Sequence, residues 1–304
     1  MKKLLLYFWN LGWDIYYMSK DFVFILYDYI YRHYSSSPIV QSLDDTILEV
    51  VQQRFSIARY GDGEIKLCNN RDLGFQHADL NLCSRLREIL NNDIEGLMVC
   101  VPGVFGNLDQ YMVHDRKHWT KHLAYFRRSW YKYMNRDKQY GEAFVSRFYM
   151  PYRDKSVAER AVRLWQKVWD ERDLLIVEGE KSRLGVGNDL FDNARSIKRI
   201  LAPNMEAFAY YNEIFAEVQR YDRSYLVLLA LGPTATVLAA DLCQSGYQAI
   251  DIGHIDIEYE WMRMGADHKV PVSNKFVNEA GGGKGVGDSS DALYLSQIAS
   301  KIGC

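Results

Sequence analysis

Apolar runs bounded by turn residues recur along most of the chain. They fall at Phe55–Tyr60, Leu97–Val101, Leu174–Val177, Ser196–Leu201, Tyr225–Leu231 and Ala249–Ile252, and each predicts a buried strand. Between them apolar residues repeat at helical spacing, as in Trp119, Leu123, Phe126, Trp130 and Tyr133, then Val157, Ala161, Leu164 and Val168. The clearest unit is Tyr225–Ile252. A strand reaches Leu231, Gly232-Pro233-Thr234 turns the chain, Ala235–Gln244 is helical, Gly246 stands near its C-cap, and Ala249–Ile252 returns as a strand. Strand, crossover helix and strand prescribe a parallel pair. The pattern predicts a Rossmann-like α/β domain over residues 39–280. Its sheet is mostly parallel and flanked by helices, with a helical insertion over about 108–172. Ligands of such sheets bind beyond the carboxyl ends of the strands, so the loops there are where chemistry is sought.

Residues 1–34 depart from this pattern. They hold 12 aromatics, among them Trp9, Trp13, Tyr16, Tyr17, Phe22, Phe24 and Tyr27. Lys2 and Lys3 precede Leu4-Leu5-Leu6 in the manner of a signal peptide, but the apolar run is short and no small-residue cleavage site follows. A membrane span needs about 20 mostly apolar residues, and Asn10, Asp14, Lys20 and Asp21 interrupt this stretch. Residues 1–38 therefore predict an aromatic helical segment closed by the linker Ser35-Ser36-Ser37-Pro38. Asp14, Asp21 and Asp28 recur every seven residues and read as a solvated stripe, which favours packing of the aromatic side on the domain or on a second subunit in a homodimer. The alternative is a helix lying on a membrane, with Trp and Tyr at headgroup depth. In residues 281–304, the Gly-rich stretch Gly281–Gly287 reads as a flexible linker to a C-terminal helix, with a donor-ordered lid as the alternative.

Composition narrows the function classes. Among 304 residues, 48% are hydrophobic and 25% charged, with a net charge of −2, so no global field points to nucleic acid. Five scattered cysteines (Cys68, Cys83, Cys100, Cys243, Cys304) without a CxxC pair exclude a disulfide scaffold and a structural zinc site. They point to a cytoplasmic protein, peripheral at the inner face of the plasma membrane if residues 1–34 touch it. Charge is uneven, since residues 114–172 carry 15 Lys/Arg against 7 Asp/Glu. That is a solvated helical face, or a surface for an anionic substrate or lipid headgroups. His114, His118 and His122 share one side of a helix, but no partnering Glu completes a metal site, and structural or surface roles are expected.

Four clusters carry candidate chemistry. In Arg59-Tyr60-Gly61-Asp62-Gly63-Glu64, two carboxylates one residue apart can project the same way from an extended segment. Oxygen ligands of this kind suit Mg²⁺ or Mn²⁺, although a polar turn ending the strand explains the tripeptide as well. After Leu174–Val177 comes a loop in which Arg183 offers a planar fork for phosphate and Lys181 a point charge. Gly185 and Gly187 expose backbone N–H groups there, and Asn188 can read a base or sugar. At Gly232-Pro233-Thr234 a helix directs its N-terminal N–H groups at an anion, or Thr234 merely caps it. Last, His254, Asp256, Glu258 and Glu260 alternate, so a strand would set them on one face as candidate general bases, or as the exposed face of an edge strand.

Together these blocks become specific. Ser56–Glu64, Glu178–Leu190, Leu231–Ala235 and Asp251–His254 resemble, in order, the bacterial GT-D glycosyltransferases, first described as a domain of unknown function in the glycosylation of streptococcal serine-rich adhesins. The resemblance covers roughly residues 45–280. It implies a Rossmann-like fold, a DXE metal motif matched by Asp62 and Glu64, and a UDP-sugar donor, and it matches His254 to a polar position of the family's later block. The expected reaction is metal-dependent transfer of a hexose from a UDP-sugar to a glycan acceptor on protein or lipid. Mg²⁺ or Mn²⁺ is expected at Asp62 and Glu64. Arg59, Gly61, Lys181, Arg183, Gly185, Asn188, Gly232 and Thr234 are expected around the donor, and His254, Asp256 or Glu258 at the acceptor. The alternatives are a nucleotidyl- or pyruvyl-transferase of envelope saccharides and a non-catalytic membrane adaptor of a glycosylation complex.

Overall fold

A computed structural model describes residues 2–283 and 285–304, with the side chains of residues 2–17 outside the description. The chain opens with helix α1 (Lys2–His33), the short strand β1 (Ile39–Val40) and α2 (Leu43–Gln53), then β2 (Ser56–Arg59), α3 (Asp62–Cys68) and α4 (Leu80–Asn91). Next come β3 (Leu97–Val101), α5 (Val113–Tyr133), β4 (Gln139–Glu142), α6 (Ser156–Trp169), β5 (Asp173–Gly179) and β6 (Ser196–Ala202). The remainder is α7 (Tyr211–Val218), β7 (Leu226–Ala230), α8 (Pro233–Gln244), β8 (Gln248–Asp251), α9 (Ile255–Met264), α10 (Ala292–Gln297) and β9 (Ile298–Lys301).

The strands form a sheet of order β1-β4-β3-β2-β8-β7-β5-β6-β9, and every pairing is parallel. All six predicted strands are present. Their central residues are buried on both faces, as expected where helices cover both sides. Local chemistry sets the helix starts. Ser42 accepts from Asp45 N–H at α2, Asp79 from Asn81 and Leu82 N–H at α4, and Pro233 opens α8 at a position that needs no donor.

Two expectations about organisation change. Residues 108–172 are no insertion, because β4 lies within them and pairs with β3, making α5 and α6 crossovers of the sheet itself. The C-terminal segment contains α10 but also adds the edge strand β9 against β6.

The third correction concerns α1, which packs along α5 with Phe24 stacked on Tyr125 at 4.6 Å between ring centres. Asp28 accepts from the buried Arg127 at 2.7 and 3.1 Å, and Asp21 meets Lys121 and the Tyr125 hydroxyl, both at 2.6 Å. These acids face α5 and not solvent. The side chain of Asp14, like those of Trp9, Trp13, Tyr16 and Tyr17, lies outside the described residues.

Candidate functional site

Strand order turns at β2 and β8. From β2 the chain builds outward through β3 and β4, and it later returns to seat β8 on the other side of β2. A crevice opens at such a switch point. It is a cavity of about 690 Å³, walled by the segments after seven strands, including Gly61–Glu64, Pro102, Ala143–Phe144, Ser182, Asn204, Leu231–Gly232 and Gly253–His254. Across it lie His114, Asp115, His118 and Trp119 of α5.

Arg59 forms part of the lining. Its guanidinium donates to both the carbonyl and the carboxylate of buried Asp251 at 2.8 Å. Gly253 makes this possible, since at φ +47° a Cβ would run into that guanidinium.

Asp62 and Glu64 do not occupy an extended segment. They are the first and third residues of α3, where positions two apart point to different sides of the helix. Asp62 turns toward α5, with Lys66 Nζ at 2.6 Å and His118 Nε2 at 3.7 Å. Burial raises its carboxyl, but the Lys66 hydrogen bond and the nearby charges hold it below the usual range. Glu64 reaches back to the Gly61 N–H at 2.7 Å, and burial pushes its carboxyl up to about 7. Both still line the cavity.

Among the described residues no three His, Cys, Asp or Glu side chains gather as a complete metal set. Mg²⁺ is commonly held by one or two carboxylates plus substrate phosphates. Two carboxylates lining one cavity therefore suit a hard cation that arrives with a diphosphate. The histidine row divides. His114 and His118 line the cavity, whereas His122 is buried and accepts from Trp130 Nε1 at 3.1 Å.

The loop after β5 is turned away from the cavity except at Gly179, Ser182 and Leu184. Arg183 is buried and donates to the carbonyls of Asn274 and Gly287, so its fork holds the C-terminal segment, and it is not part of the cavity lining. Lys181 pairs with Asp288 at 3.2 Å. Gly185 N–H and the Asn188 amide both bind Asp256, at 2.9 and 2.7 Å. Thr234 is buried, and no cap bond comes from it, Gly232 being the N-cap of α8. Of the expected donor residues, only Arg59, Gly61 and Gly232 reach the cavity.

His254, Asp256, Glu258 and Glu260 belong to the start of α9 and not to a strand, which separates them into two pairs one turn apart. Asp256 is clamped by Lys275 at 2.7 and 2.8 Å, and Glu260 shares that lysine at 3.2 Å. Asp256 also lines the cavity, but its carboxylate is committed to the buried ion pair with Lys275. His254 meets Arg147 at 3.1 Å through Nδ1 and Glu279 at 3.4 Å through Nε2. Burial, then the Arg147 charge, lowers it to about 4. Glu258 is fully buried, and its Oε2 accepts from the N–H groups of Tyr149 and Met150 at 2.9 and 2.8 Å. Its Oε1 has no partner, and burial raises the carboxyl to about 7.

Arg147 and Lys269, which ion-pair with Glu279 at the cavity, were not signalled by any motif. Arg147 follows β4, a strand hidden from hydropathy because Gln-Tyr-Gly-Glu is not an apolar run.

Comparison with known proteins places this architecture. A family model described as the glycosyltransferase GT-D fold matches residues 57–280. "Glycosyltransferase GlyD" of Streptococcus pneumoniae serotype 4 and "Probable glycosyl transferase Gly" of Streptococcus gordonii are each 40% identical over 264 residues, 86% of this chain. The chain spans only 32% and 39% of those relatives. A solved glycosyltransferase from Streptococcus sanguinis, containing domain of unknown function 1792, superposes with a TM-score of 0.83 at 40% identity, covering 88% of this chain and all of that one. A second, described as domain 1792 with a distinct glycosyltransferase fold, gives 0.84 at 38% identity, covering 93% and 100%. By sequence and by fold, the chain belongs to the GT-D family of glycosyltransferases.

Proposed function

We propose that the protein transfers a hexose from a UDP-sugar to a hydroxyl of a glycan acceptor, carried on protein or lipid. The observation that carries this reading is that Asp62 and Glu64, just after β2, line the same cavity as Glu258, whose buried Oε1 has no partner. A divalent cation, Mg²⁺ or Mn²⁺, would be held by Asp62 and Glu64 and would supply Lewis-acid stabilisation of the departing diphosphate. Arg59 and Arg147 add fixed positive charge to the same walls, where negative charge grows as the glycosidic bond breaks.

Glu258 is the group suited to take the proton of the acceptor hydroxyl as that oxygen attacks the anomeric carbon. Glu258 belongs to the cavity lining, its Oε1 is buried without a hydrogen-bond partner, and burial raises its carboxyl to about 7, in the range a general base needs. His254 has both nitrogens engaged by Arg147 and Glu279, which suits a residue that positions those charges. The test is a screen for released UDP across UDP-sugars, with and without Mn²⁺. UDP release that needs cation and acceptor supports the reading, whereas pyrophosphate as product identifies nucleotidyl transfer in its place.

A further inference from the structure

Helix α1 is inside out for a helix facing water. Its described acids, Asp21 and Asp28, point inward to Lys121 and Arg127 of α5. What it turns outward is apolar: Met18, Phe22, Val23, Leu26, Tyr29 and Ile30 are each 49% to 72% exposed. The exposed basic residues on its described part are Lys20, Arg32 and His33, and those on α5 are His114, Lys117, His118, Lys121, Arg128 and Lys132. No acid of either helix, among the described residues, is exposed.

Where the end of α1 meets the start of α5, an open cleft is lined by Arg32, His33, Arg116, Lys117 and Lys121, with Phe105 among its apolar walls. One carboxylate, Asp109, lies among them, 3.5 Å from Arg116, and the Arg116 Nε is buried without a hydrogen-bond partner.

We propose that the α1–α5 face docks on an anionic phospholipid bilayer, with α1 lying in the interface and a lipid phosphate entering the basic cleft. An exposed apolar stripe flanked by cations is the pattern of an interfacial helix, and each cation near an anionic surface adds to the attraction. Spanning is a different matter, since no described helix is long and apolar enough to cross a membrane. A second copy of the chain fits less well. A twofold contact sets a patch against itself, and here it would oppose one basic set with another. The first turns of α5 line both the cleft, through Arg116 and Lys117, and the catalytic cavity, through His114, Asp115 and His118. Docking would hold that cavity within about one helix diameter, roughly 10–12 Å, of the headgroups.

The test is flotation of the full chain with vesicles of phosphatidylcholine alone or mixed with phosphatidylglycerol, beside light scattering without lipid. It reads binding and needs no sugar transfer, so it stands or falls separately from the donor assignment. The protein should float with the anionic vesicles, less so at high salt. Phe22→Ser with Ile30→Ser should weaken binding by about tenfold or more at an unchanged melting temperature, because both side chains are exposed. Lys117→Glu should weaken it by about fivefold or more. Absence of flotation, or binding indifferent to these variants, overturns the proposal. So does a dimer that the double serine variant splits while vesicle binding is absent.

Discussion

Glu258 shows how one side chain gains its chemistry from its surroundings. Two backbone N–H groups fix Oε2, burial raises the carboxyl to about 7, and Oε1 is left buried without a partner in a residue that lines the cavity. Glu258→Gln keeps an oxygen for those N–H groups but cannot take a proton. Turnover should fall by roughly 10²–10⁴-fold, and the rise of rate with pH through about 7 expected of the parent should be absent. A full pH profile of both proteins checks this, and an intact limb in the variant would assign the base elsewhere.

Glu142 offers a stability counterpart, because burial raises its carboxyl from 4.5 to about 7 while it accepts from Gly103 and Phe144 N–H. Between those two pH values the fold holds a proton that the unfolded chain has released. Its contribution is therefore greatest below the window and falls as pH rises through it. Glu142→Gln should flatten the decline in stability from about pH 5 to pH 7, measured by urea unfolding at several pH values.

At the scale of elements, what the sequence concealed was the partner of each side chain and not its identity. The Gly-Asp-Gly-Glu run was legible as a carboxylate pair after a strand. That it begins a helix depends on Glu64 capping Gly61, a contact three residues long that strand patterning does not weigh. The alternation at His254–Glu260 matched a strand by period, but the same four residues also form two i, i+4 pairs, His254 with Glu258 and Asp256 with Glu260, and so fit a helix as well. Arg183 had the right chemistry for phosphate and the wrong neighbours, because its partners Asn274 and Gly287 lie about a hundred residues on.

Arg183→Lys keeps the charge but cannot bridge both carbonyls, so residues 274–290 should become more sensitive to limited proteolysis, with UDP affinity changed little. A large loss of UDP affinity with proteolysis unchanged would return Arg183 to the donor site. In the same layer, buried Arg199 binds Glu178 at 2.6 Å and the Leu184 carbonyl at 2.9 Å. Arg199→Met leaves Glu178 as an unpaired buried charge and should cost about 3–5 kcal/mol in denaturant unfolding. Glu178→Leu added to it should recover part of that loss.

For the whole molecule, six strands and their parallel sense were legible because each is an apolar run separated by crossover-length segments. The edge strands β1 and β9, and β4 beside β1, were not, being short or polar. The sheet nevertheless located the cavity, since parallel strands deliver their following loops to one edge and the reversal at β2 and β8 opens it there. On the proposed reading, donor and cation would be coupled through this one cavity. Two carboxylates make a weak cation site alone, and a diphosphate entering beside them meets like charge unless a cation comes with it. UDP or Mn²⁺ added singly should therefore move the melting temperature little. Together, at about 100 times the dissociation constant, they should stabilise the fold by about 2.7 kcal/mol. For a chain of this length that is an upward shift of several degrees, on the order of 2–4 °C per kcal/mol. Asp62→Asn should abolish the joint shift, whereas Glu258→Gln, which acts on the acceptor side, should retain it. Additive shifts from the two ligands, or a joint shift that survives in Asp62→Asn, would show that the cation binds somewhere other than beside α3.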